Sequence, residues 1–455
     1  MNGKSSYPDQ YAVLLMDVAL PEEWVELTGS GWSAGPLPLS YVDHNGTRIV
    51  TDGAARATNF PGHLADRLYG SKNRVHQDFS PISLEEMGLP HAHLIAAEVI
   101  RVDTEQTSLS GDRHPGVVAL HLKLIGPDPD VAATAVKALA RERSTTRISG
   151  RGAEFRRWVA ASHPSLRWVE SMPSSDDDAV SRLTIYPVVV VEGECGSPGV
   201  SAVSPHDDDT IGYRNLLRLS LTSSGQTLQD MSRSVESITS DYEQVRHLSK
   251  DWSALVRGTG TTFLLHCPPG TDYRPMAHVY ARTIYLDALI LGRIEMMVID
   301  LRENAVQQVR RAMAGDENER KVLEDLVVID ESFVFLRSRY WMRRGESVGR
   351  TARLLEDFQE VTALQAGIVS IEESIAHFSR IAERRVDIRR ATIDERTGTA
   401  INLITFVGLP LAIVFSLGEA LPGDNSWPRV GVLVCVTILF SVLTVWGVRR
   451  YTGRE

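Results

Sequence analysis

Cysteine is scarce: Cys195, Cys267 and Cys435 are the only three in 455 residues. They stand too far apart for a C-x-x-C metal pair, and an odd number in so long a chain builds no disulfide framework. The expectation is a protein facing a reducing compartment. An excess of positive charge is also missing, since 48 Lys and Arg face 58 Asp and Glu for a formal charge of -10. That excludes the sequence-independent phosphate binding of a general DNA or RNA partner, so no nucleic acid is expected. The sequence contains no P-loop and no dinucleotide fingerprint, and no organic cofactor is expected. The first twenty residues carry one Lys and a short apolar run broken by Asp17, not the long apolar core of a secretory signal. The N-terminus is expected to stay where it is made.

One enzyme motif is present in form only. Gly31-Trp32-Ser33-Ala34-Gly35 has the spacing of a nucleophile elbow, but Pro36-Leu37-Pro38-Leu39 follows and cannot open the helix that the elbow needs. No enzyme activity is expected. His91 and His93 have strand spacing that puts them on one face, and no third metal ligand stands nearby. Two acidic clusters, residues 176–178 and 207–209, lie in Ser/Pro-containing stretches and read as solvated loops or as weak collectors of divalent ions.

What the chain does have is long apolar runs, and they are confined to its end. Residues 397–418 and 430–448 contain no charge. As helices they would be about 33 and 28 Å long, against a hydrocarbon thickness of about 30 Å, so both can span a bilayer.

Residues 1–215 mix strand-like runs (YAVLLMDVAL, LIAAEVIRV, GVVALHLKLIG, LTIYPVVVVEGE) with helix-like segments such as residues 129–143. This predicts an α/β or α+β cytoplasmic domain, with its boundary in SAVSPHDDDTIG. Residues 216–346 read as mainly helical apart from a strand at TTFLLHC. One helix opens near Pro275 and runs to about Ala314, and a second runs to about Arg344. From Ser347 a single helix of about 70 residues could reach Gly418, with 347–396 as a stalk. Val361, Leu364, Ile368, Ile371, Ile375, Phe378 and Ala382 recur at steps of three and four, the seam of a helix packed on other helices. That seam fits an intramolecular hairpin or self-association around an axis.

Charge sets the expected topology. Six arginines lie between residues 380 and 396, and Arg449, Arg450 and Arg454 follow the second run, whereas the connector 419–429 has one Arg against Glu419 and Asp424. The positive-inside rule places the basic tail 449–455 and the N-terminus in the cytoplasm and the connector outside a bacterial-type inner membrane. Trp427 and Trp446 fall near the interfaces, and the arginines read as a collar for anionic lipid.

This organisation resembles the CorA family of divalent-cation channels. In DERTGTAINLITFVGLPLAIVFSLGEAL, Leu409-Pro410-Leu411 matches the family's mid-membrane Leu/Ile-Pro-Leu element, and Gly418 matches the glycine of its Gly-Met-Asn signature. Glu419 and Ala420 stand where the family has Met and Asn. The resemblance covers residues 345–455 in architecture and the first span in sequence. It implies a homopentamer whose first span lines a pore for divalent metal ions, magnesium above all, with the second span outside it.

Within the first span Asn402, Thr405, Leu409, Ala412, Ser416 and Glu419 lie within an arc of about 100°. Such a stripe faces either a pore or another helix. As a pore lining it would place a hydrophobic constriction at Leu409, oxygens at Asn402 and Thr405, and a carboxylate ring at Glu419, with Asp424 as a weaker metal-attracting group. Alternatively, Glu419 is the first solvated residue after the span. Pro410 removes a backbone donor and predicts a kink. In the second span Thr437, Ser441 and Thr444 form a packing face.

Overall fold

The structure is a computed structural model. It describes residues 10–21, 31–87, 89–102, 113–125, 150–169, 185–192, 245–249, 252–258, 260–265, 274–314, 319–342 and 349–420, and nine isolated positions between 431 and 446. By contacts the chain divides into two compact units: Met1–Arg311 with Asp325–Ile375, and Ala312–Glu324 with Ala376–Glu455.

The first unit is built on a mixed sheet. Its elements in chain order are β1 (Gln10–Pro21), β2 (Ser33–Ala34), the hairpin β3 (Leu39–Val42) and β4 (Arg48–Thr51), α1 (Gly53–Ala57) and α2 (Gly62–Tyr69). Then come β5 (Arg74–Leu84), β6 (Leu89–Arg101), β7 (Arg113–Leu124), α3 (Gly150–Ser162), β8 (Ile185–Glu192), β9 (Arg246–Ser249), β10 (Trp252–Arg257) and β11 (Gly260–Leu265). Nine strands join in the order β2-β5-β6-β7-β1-β8-β11-β10-β9, and β3 and β4 pair separately. All neighbours in the large sheet are antiparallel except β8 and β11. The sheet therefore extends past residue 215 and draws in residues 246–265.

Alternation along each strand sorts the sheet into two chemically different faces. Ala12, Leu14, Met16 and Val18 of β1, with Leu94 and Val99 of β6 and Val118, Leu120 and Leu122 of β7, form an apolar face covered by Phe155, Val159 and Ala160 of α3. The intervening residues, among them Asp17, Arg74, Glu98 and His121, point to the other face.

That second face is covered by helices. α4 (Arg274–Arg282) is followed by α5 (Ile284–Ala314), α6 (Glu319–Tyr340), α7 (Arg350–Val361) and α8 (Leu364–Ala420). The single helix expected from Pro275 to Ala314 is thus two, with the turn at buried Thr283, whose hydroxyl donates to the Val279 carbonyl (2.6 Å). The first part of α5 is buried all round: Leu286, Ala288, Leu289, Ile290, Leu291 and Ile294 are fully buried, and so are the charged Asp287 and Arg293 between them. Gly292 lets α7 approach closely: a Cβ there would lie 2.5 Å from the Phe358 ring, which packs in turn on Tyr186 of β8 (5.5 Å).

The single 70-residue helix expected from Ser347 is also divided. α7 ends at Val361, and α8 begins after Ala363, whose φ of 53° breaks the helical path. The break explains the one member of the predicted seam that does not pack. Val361 is 39% exposed, whereas Leu364, Ile368, Ile371, Ile375 and Ala382 are buried and Phe378 is half-buried. α8 continues unbroken through Pro410.

In the second unit, the part of α8 beyond Ala382 is exposed along its described surface, including Ile388, Ile393 and Ile401. Among the described residues no helix is long and apolar enough to cross a membrane.

Candidate functional site

The polar face of the sheet closes on a buried ionic cluster. Asp287, in the first turn of α5, accepts two hydrogen bonds from Arg56 of α1 (Nε and Nη2, both 2.7 Å), one from Arg74 Nη1 of β5 (2.8 Å) and one from the Tyr69 hydroxyl of α2 (2.8 Å). Glu98 of β6 accepts from Arg74 Nε (2.8 Å) and from the Leu37 amide (3.0 Å). Arg56, Arg74, Glu98 and Asp287 are all fully buried, two cations against two anions. Burial alone would push Glu98 up, but Arg74 and Arg56, aided by His121, hold it well below the usual carboxylate range.

His121 of β7 extends the cluster. Arg282, the last residue of α4, points its Nε–H at His121 Nδ1 (3.4 Å), so the imidazole carries its proton on Nε2 and donates to Glu98 Oε1 (2.9 Å). Burial pushes His121 down to about 4, so the ring is neutral near pH 7. Arg56, Arg74, Glu98, His121 and Asp287 are all closed off from solvent. The role of the cluster is to fix α1, α2 and α5 to the sheet.

A second titratable site lies where α5, α6, α7 and the start of α8 meet. Glu295 of α5 is 2% exposed and accepts from the Met342 amide (3.2 Å) and from Gln359 Nε2 of α7 (2.9 Å). Burial, only partly offset by these two donors, pushes it up to about 8. With Phe333, Arg337, Tyr340 and Ile368 it lines a small cleft open to solvent, with room for about one water molecule. Arg337 on the rim pairs with Glu372 of α8 (2.6 Å).

The residues singled out for a pore fall on α8. Asn402, Thr405, Ala412 and Ser416 are exposed. Thr405 donates its hydroxyl proton to the Ile401 carbonyl (2.8 Å), which leaves its oxygen lone pairs free to accept. The side chains of Leu409, Pro410, Gly418, Glu419 and Ala420 lie outside the described residues, as do Asp424, Thr437, Ser441, Thr444, both acidic clusters, residues 129–143 and the boundary segment near 204–212. Trp446 and Cys435 are exposed.

The Gly31–Gly35 segment forms no elbow: Ser33 and Ala34 make the edge strand β2, and the next element is β3 rather than a helix. His91 is exposed and His93 half-buried on β6, and among the described residues no group of three or more His, Cys, Asp or Glu is arranged to hold a metal ion.

Sequence reasoning missed Arg56, Arg74, Glu98, His121, Asp287 and Glu295. The available signal was charge inside apolar runs: Glu98 in LIAAEVIRV, His121 in GVVALHLKLIG, and Asp287 and Glu295 in YLDALILGRIEMMVI. A charged side chain in such a run is bought only with a partner or a function. No protein-family model matches the chain, and no curated protein matches it.

Proposed function

We propose that this chain is one subunit of a CorA-like homo-oligomer, a pentamer, that lets divalent metal cations, magnesium first, cross a bacterial-type inner membrane. Residues 397–418 and 430–448 form the two-helix hairpin, and both termini face the cytoplasm. The observation that carries the reading is the continuity of α8. One helix runs from a buried seam at Leu364–Ala382 into 22 uncharged residues, among which Asn402, Thr405, Ala412 and Ser416 are exposed.

In the assembled pore these residues repeat around the axis. Magnesium dehydrates reluctantly, so Asn402 and the Thr405 oxygen act on its water shell rather than on the bare ion. Leu409 closes the path by excluding water, and Glu419, with Asp424 beyond it, concentrates cations at the outer mouth. A membrane potential near 100 mV contributes about 4.6 kcal/mol for each divalent ion, twice the single-charge value. No catalytic step takes part.

A second reading has its own support. Glu419-Ala420 replaces the Met-Asn of the family signature, and six arginines between residues 380 and 396 would ring the inner mouth with positive charge. Both changes suit a signalling or effector protein that keeps the frame and loses the ion selectivity.

Liposomes holding the full chain and a magnesium-sensitive dye separate the two. Channel function predicts magnesium entry that falls at least tenfold in Leu409→Arg, because a ring of buried cations repels the ion. The absence of entry for magnesium, zinc and cobalt alike would contradict it and favour the effector reading.

A further inference from the structure

Glu295 is held by neutral groups. Its two donors are the Met342 backbone amide and the Gln359 side-chain amide, and among the described residues no cation pairs with it. A carboxylate buried in that way lacks the counter-charge that would offset its lost hydration, so the protonated form is favoured. A cation shares its cleft, however. Arg337 of α6 lines the same cleft as Glu295, but its guanidinium bonds Glu372 of α8, with Nη1 2.6 Å from the carboxylate. The side chains of Arg337 and Glu372 are 42% and 48% exposed.

The other charged groups around the cleft are already engaged. On α5, Arg293 bonds Asp17 of β1, and Arg302, about two turns beyond Glu295, lies over the Phe333 ring (5.7 Å) under the pull of Asp330 of α6. On α7, Gln359 faces Glu295, whereas Asp357 takes Arg246 of β9 (2.7 Å), with Glu356 and Glu360 acting on it. To the cleft lining α6 adds the phenol of Tyr340 beside Arg337, and α8 adds Ile368. The chain changes direction here as well. Gln359 lies one turn before Ala363, whose φ of 53° separates α7 from α8. Glu295 therefore holds the last turn of α7, and Arg337 holds α8 beyond the break.

We propose that Arg337 is the moving part of a proton switch: while Glu295 is protonated it ties α6 to Glu372 of α8, and once Glu295 gives its proton to solvent it turns to that carboxylate and releases α8. Relative magnitudes set the direction of the exchange. An ion pair as exposed as that of Arg337 with Glu372 contributes little, whereas a buried carboxylate left without a cation is strongly destabilising. The cleft is open to solvent, which gives the proton a way out. Burial pushes Glu295 up to about 8, so the tie to α8 is made at neutral pH and lost in mildly alkaline solution. By reciprocity, freeing Arg337 from Glu372 favours ionised Glu295. All these residues belong to the first unit, and the switch does not depend on the channel reading.

The test is hydrogen exchange of the full chain in detergent, read on residues 364–375 at about pH 6.5 and about pH 9 after correction for the intrinsic rate. In the wild type, protection should fall about threefold between the two, the effect of losing one exposed ion pair. Glu295→Gln should keep the higher protection at both pH values. Arg337→Met and Glu372→Gln change exposed side chains outside the core and should show the lower protection at both. Absence of the step in the wild type, its survival in any of the three variants, or levels reversed between Glu295→Gln and the other two would overturn the proposal.

Discussion

Asp287→Ala should destabilise the sheet domain by about 3–5 kcal/mol, the range seen when one partner of a buried ion pair is removed. The carboxylate bonds Arg56, Arg74 and Tyr69 together. Without it two fully buried guanidiniums share Glu98 alone, at 2.6 Å from Arg74 but 3.9 Å from Arg56. Arg56 would keep only its bond to the Leu37 carbonyl and that distant pair. The loss should be read by chemical unfolding of the full chain in detergent, beside Glu373→Ala, an exposed position on α8 expected to stay within about 0.5 kcal/mol. A loss under about 1 kcal/mol for Asp287→Ala would mean that the cluster does not hold α5 to the sheet.

The second large effect is a pH dependence with two arms. Glu295 has its folded-state pKa raised to about 8 from an unfolded value near 4.5, so the folded state holds a proton that the unfolded state gives up. Stability must therefore fall as pH rises from about 4.5 to 8 and level off above that. His121 works in the opposite direction. Its folded value of about 4 lies below the unfolded 6.5, so the stability it contributes is complete above 6.5 and is lost as pH falls toward 4.

Glu295→Gln keeps the shape and an acceptor for the Met342 amide while removing the charge. It should stabilise the protein by a few kcal/mol at pH 8.5 and by well under 1 kcal/mol at pH 4.5, leaving the acid arm unchanged. Unfolding curves at the two pH values check this. An equal effect at both would show that Glu295 does not titrate with folding.

The strands that build the centre of the sheet were legible because their apolar runs are bounded by Gly, Pro, Asp and Ser. The buried side of α8 was legible because Leu364, Ile368, Ile371 and Ile375 repeat at helical spacing. The break before α8 was hidden by the same regularity. Val361 and Leu364 are separated by the step of three that a continuous helix would use, and Thr362-Ala363 contains neither glycine nor proline to mark a turn. The ionic cluster was hidden for a different reason. Asp287 and Arg56 are 231 residues apart, and Arg56 comes from a five-residue helix with no apolar period. Pairing at that separation is set by the folded sheet, not by any local pattern. The stripe on α8 rests on periodicity alone: all described side chains between residues 401 and 420 are exposed, Ile401 as much as Asn402 and Thr405, so exposure does not distinguish one face from another.

The claim on which the functional account depends is that several copies of α8 surround one aqueous path. The most direct measurement is the mass of the full-length chain released intact from lipid nanodiscs. The account predicts a single closed assembly of five 50.3 kDa subunits. A species that remains monomeric in lipid would contradict it, because one copy of the stripe cannot enclose a pore.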